Sequence, residues 1–90
     1  MSVFVGGSAM AMVKDIAEGY IIVSEHTFKK FQAGDLQGFG AELEKATREV
    51  RGSAAPPNDI DAVQKRNRKL QRLYQVQQVL NSVLARRRRQ

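Results

Sequence analysis

The chain has 90 residues, with 15 Lys and Arg against 9 Asp and Glu, a net charge of +6, and 42% of its residues are apolar. A single domain of that size buries only about 60–65% of the surface its unfolded chain exposes, so its stability rests on regular packing or on partners. With no cysteine in the chain, disulfide scaffolds, thiol catalysis, thiolate zinc sites and iron–sulfur ligation are excluded.

The N-terminal stretch is apolar but broken at Gly6-Gly7, and no basic residue precedes the break. That pattern speaks against a secretory signal, and the lack of Arg ahead of Arg48 speaks against an ordinary mitochondrial presequence. No run of about 18 apolar residues exists from which to build a membrane-spanning helix. An intracellular protein is expected, cytoplasmic or organellar. Val3-Phe4-Val5 leading into Gly6-Gly7-Ser8 has the outline of a strand opening onto a helix N-terminus, the geometry that cradles phosphate. It lacks both the Lys-Ser/Thr of a P-loop and a GxGxxG, so no cofactor is expected there.

Over residues 9–31 the positions Met12 or Val13, Ile16, Tyr20, Val23, Thr27 and Phe31 suit a helix stopped by Gly34. Gly19 and the β-branched run Ile21-Ile22-Val23 favour the alternative, a strand over residues 20–24, paired with residues 2–5. His26 is the single histidine. Its helical neighbours at three and four positions are Ile22, Val23, Lys29 and Lys30, which offer neither a second ligand nor a carboxylate and would repel a cation. No metal site, no catalytic set and no small-molecule substrate follow, and the chain is not expected to be an enzyme.

Leu36, Phe39, Leu43, Ala46 and Val50 follow a 3-4-3-4 spacing, which places them on one stripe of a helix over residues 35–51. Asp35 is its candidate N-cap and Gly52 its stop. Residues 53–58 hold both prolines and read as a turn, so the next helix returns antiparallel. That helix covers residues 60–87, capped by Asn58 or Asp59, with Asp61 near the positive end of its dipole. Its facing stripe is Ile60, Val63, Leu70, Leu73, Leu80 and Leu84, with polar Arg66 and Gln77 in a coiled-coil-like seam. The expected fold is all-α, one domain over residues 1–90: an antiparallel hairpin of residues 35–51 and 60–87, with an N-terminal helix packed across it.

Charge is distributed unevenly over these elements. Residues 1–59 sum to −2 and residues 60–90 to +8. The basic residues fall in two blocks: Lys65, Arg66, Arg68, Lys69 and Arg72, and then Arg86, Arg87, Arg88 and Arg89 in a tail of residues 86–90. Four consecutive arginines exceed what helix capping requires and point to an acidic partner: an acidic protein surface, nucleic-acid phosphate or an anionic membrane.

The same helix has a second line, Lys65, Lys69, Arg72, Val76, Val79 and Val83, that begins basic and turns apolar. Its apolar arc is wider than one antiparallel neighbour can cover, so either the N-terminal segment or another chain must cover it. Leu70, Leu73, Tyr74, Val76, Val79, Leu80, Val83 and Leu84 are therefore candidates for an interface with a helical partner or a second copy. The expected function is a non-enzymatic interaction subunit whose basic helix docks on an acidic surface. A sequence-nonspecific nucleic-acid-binding protein using the same helix is the alternative.

Overall fold

A computed structural model describes residues 3–53 and 56–88. It is all-helical: α1 (Ala9–Ala17), a 3-10 turn (Glu25–Phe28), α2 (Ala33–Gly52) and α3 (Ile60–Arg88). Helices α2 and α3 form the expected hairpin, and α1 packs against both. The pattern that predicted this is satisfied: Leu36, Phe39 and Leu43 of α2 are buried against Leu73 and Leu80 of α3, with Ala46 and Val50 partly covered. Ile60, beside the interhelical turn at the closed end of the hairpin, is exposed rather than part of the seam.

The N-terminal helix is shorter than its spacing suggested. Ser8 caps it, its Oγ accepting from the Ala11 N–H at 3.1 Å, and it ends at Ala17 rather than near Phe31. Gly19 ends it by adopting φ +81. The Gly19 N–H then reaches back to the Ile16 carbonyl and the Tyr20 N–H to that of Asp15, the paired bonds of a Schellman motif. Beyond it, residues 20–24 leave the helix, as the β-branched run implied. They join no ladder, however, and Val3–Val5 do not pair with them among the described residues.

The start of α2 differs from expectation in a similar way. Gln32 is its N-cap, and Asp35, in the first turn, accepts from the Gln32 N–H through Oδ2 at 2.9 Å. A carboxylate at the third helical position reaching back to the cap is half of a capping box, so Asp35 meets a backbone N–H but one turn inside the helix. Gly34 lies inside that first turn and stops nothing. The α3 cap is as expected, with Asp59 Oδ1 accepting from the Ala62 N–H at 3.1 Å.

The core continues into an aromatic cluster at the N-terminal end of α2. Phe28 and Phe31 meet edge to face with centroids 5.1 Å apart, Phe28 meets Phe39 at 5.1 Å, and Phe4 meets Phe31 at 5.2 Å. These offset geometries suit the ring quadrupoles. Their effect is to dock the 3-10 turn and the N-terminal loop onto the hairpin.

Candidate functional site

The apolar arc of α3 is covered from within the chain. Leu73, Val76, Leu80 and Val83 are buried in one core with Met12, Val13, Ile16 and Ala17 of α1 and with Val23 and Phe28 from the segment that follows. The expected interface is corrected accordingly: these four side chains are core, because α1 and the 3-10 turn occupy the side of α3 that α2 leaves open. Leu70, Val79 and Leu84 are half-buried. Tyr74 is 40% exposed, with its hydroxyl accepting from Arg51 Nε at 2.7 Å and the Arg51 guanidinium over its ring.

The basic residues of the first block also turn inward. Arg66 donates to the carbonyls of Arg51 at 2.8 Å and Ser53 at 3.2 Å, at the C-terminus of α2. Arg72 Nη1 donates to the Ala17 carbonyl at 2.9 Å, at the C-terminus of α1. Lys69 pairs with Glu18 at 3.1 Å, just past that terminus. Guanidinium groups at carbonyls left without intrahelical partners answer both the unmet hydrogen bonds and the negative end of the dipole. Among the described residues, the side chains of Lys65 and Arg68 make no ion pair or hydrogen bond.

The second block holds the 3-10 turn. Arg87 Nη2 donates to the Phe28 carbonyl at 3.1 Å, and Arg86 pairs with Glu25 at 3.0 Å. Arg88 is exposed and makes no such bond among the described residues, and Arg89 lies outside them. The turn brings Lys29 and Lys30 to the same end of the molecule. A cleft of about 560 Å³ there is lined by Glu25, Phe28, Lys29, Val83, Arg86 and Arg87. A second, of about 500 Å³, lies on the other flank of the turn between Val3, His26, Thr27, Lys29, Lys30 and Phe31. Lys29, Lys30, Arg86, Arg87 and Arg88 thus form a basic pole, with Glu25 as the acid inside it.

Lys29 and Lys30 carried no sequence signal for this role. They sit in a segment of neutral net charge, and only the folding of the 3-10 turn onto α3 joins them to the arginines. The solvent face of α3 between the two blocks is uncharged: Gln71, Gln75, Gln78 and Ser82 are all exposed. His26 is exposed on the second cleft, and among the described residues no three His, Asp or Glu side chains gather into a set that could hold a metal. No helix there is long and apolar enough to cross a membrane.

No family model matches the chain, and neither a curated protein nor a solved structure matches it.

Proposed function

We propose that the protein is a non-enzymatic interaction subunit that docks through its basic pole on an acidic surface of a protein partner. The observation that carries this reading is the convergence of Lys29 with Arg86 and Arg87 around a cleft floored by Phe28 and Val83, with Lys30 beside Lys29 on a second cleft and Arg88 at the same end of α3. An acidic protein segment offers carboxylates to the cations and apolar side chains to that floor. A phosphate backbone offers charge alone, and a duplex laid along α3 would meet the uncharged amide face between Arg68 and Arg86. In this reading the protein is intracellular and needs no cofactor.

The test is fluorescence anisotropy with a Glu- and Asp-rich peptide, random-sequence RNA, duplex DNA and anionic vesicles, each across a salt series. The double change Lys29→Glu with Lys30→Glu is compared with Lys65→Glu with Arg68→Glu. Tight peptide binding lost in the first pair and kept in the second is the expected result. Preference for nucleic acid with a log–log salt slope well beyond about −5, more than five pole cations release, would overturn it, as would equal losses in both pairs.

A further inference from the structure

The strap between α1 and the 3-10 turn exposes apolar side chains, Tyr20 and Ile22, where the neighbouring pole is basic. Its two ends are pinned to α3, Glu18 to Lys69 and Glu25 to Arg86. Those anchors lie about 25 Å apart along the helix at 1.5 Å per residue; after the turn at Gly19 and Tyr20 the chain crosses between them through residues 21–24, which belong to no helix and end in extended Ser24. Side chains alternate accordingly: Val23 is buried and Ile21 partly buried against the core, while Tyr20 is 75% and Ile22 93% exposed. Among the described residues nothing donates to or accepts from the backbone of Ile21, Ile22 or Val23. An extended β-branched run with unpaired N–H and C=O groups is a template for another strand.

We propose that this strap is the pairing edge of a homodimer, in which residues 20–24 of two copies form an antiparallel ribbon centred on Ile22. A second copy fits because the sequence is complementary to itself in that register. Ile22 falls opposite Ile22, Ile21 opposite Val23 and Tyr20 opposite Ser24, with the Tyr20 ring within diagonal reach of the other copy's Ile22. The register ends at residues 20 and 24, since Glu18 is the cap of α1 and His26 lies in the 3-10 turn; antiparallel pairing nonetheless turns the end of one strap that carries acidic Glu18 towards the end of the other that carries Lys29 and Lys30. A two-stranded ribbon alone is marginal in water, but here each strand is backed by its own core through Ile21 and Val23 and is flanked by its two ion pairs. Pairing therefore costs little further ordering of the chain.

The absence of cysteine makes the test direct. Sedimentation of the full chain over a concentration series should show monomers giving way to dimers. Ile22→Lys should hold the chain monomeric with unchanged helicity, since that side chain touches almost nothing. Ile22→Cys should oxidise rapidly to a covalent dimer, and Ile60→Cys, at an exposed site elsewhere, should oxidise far more slowly under the same conditions. A chain monomeric into the millimolar range, a dimer indifferent to Ile22→Lys, or equal oxidation of the two cysteine variants would each overturn the proposal. None of these readouts depends on the basic pole.

Discussion

Arg72 donates through Nη1 to the carbonyl oxygen of Ala17 at 2.9 Å, joining the third helix to the end of the first across 55 positions of sequence. The bond is partly buried, and it supplies a partner for a helix-terminal carbonyl that the Schellman motif does not use. A charge-assisted bond of this kind contributes about 1.5–3 kcal/mol. Arg72→Ala should therefore lower the unfolding free energy in urea by about 2 kcal/mol, whereas Lys65→Ala, a few residues away and exposed, should stay within about 0.5 kcal/mol. Equal effects would show that Arg72 is a solvated charge.

Gly19 stands beneath the same guanidinium. Its φ of +81 suits glycine, and a Cβ there would lie 2.8 Å from Arg72 Cζ. Gly19→Ala faces both left-handed backbone strain of about 1–2 kcal/mol and displacement of the Arg72 side chain, so it should cost at least as much as Arg72→Ala. Gly38 is the counter-case: it lies inside α2 with nothing within 4 Å of an added Cβ. Gly38→Ala should stabilise by about 0.5–1 kcal/mol, through the lost freedom of the unfolded chain. Thermal melts of the two variants should shift in opposite directions.

What could be read in the sequence was what is local. The hairpin followed from the spacing of Leu36, Phe39 and Leu43 and of Leu73 and Leu80, because helical periodicity needs no knowledge of the partner. The end of α1 was visible in Gly19, but Tyr20, Val23, Thr27 and Phe31 continue a helical spacing by coincidence, and spacing alone cannot separate a helix from a strap that buries alternate residues. The cap of α2 lies three residues before the expected Asp35, because Asp35 serves a capping box equally well from inside the helix. The charge of α3 was legible and its destination was not. Whether Arg66 or Arg72 faces a partner or a helix end depends on where α1 and α2 finish in space, and the joining of Lys29 to Arg86 depends on tertiary contact.

Leu73 separates a core residue from an interface residue. It is wholly buried, along with Leu43 and Phe39 from the facing helix. Leu73→Ala should cost about 2–5 kcal/mol, a large share of the roughly 5–13 kcal/mol available to a domain of this length. Denaturant titration should show the loss in the isolated chain, independent of protein concentration. A loss that vanished on dilution below the concentration of self-association would instead place Leu73 in a dimer interface.

Adjacent arginines at the end of α3 should behave differently although the sequence does not distinguish them. Arg87 holds the Phe28 carbonyl and thereby the 3-10 turn that carries Lys29 and Lys30, whereas Arg88 is exposed without such a bond among the described residues. Arg87→Ala should lower stability by about 1–2 kcal/mol and speed amide hydrogen exchange at Phe28 and Phe31, because the turn loses a tether while Phe28 stays anchored among its rings. Arg88→Ala should leave both unchanged and weaken only the attraction for acidic ligands, with a shallower salt dependence. Since Lys29 lines the cleft together with Arg87, loss of that tether should also loosen the cation's position. Arg87→Ala should then weaken acidic-peptide binding more than Arg88→Ala does, although each change removes one positive charge.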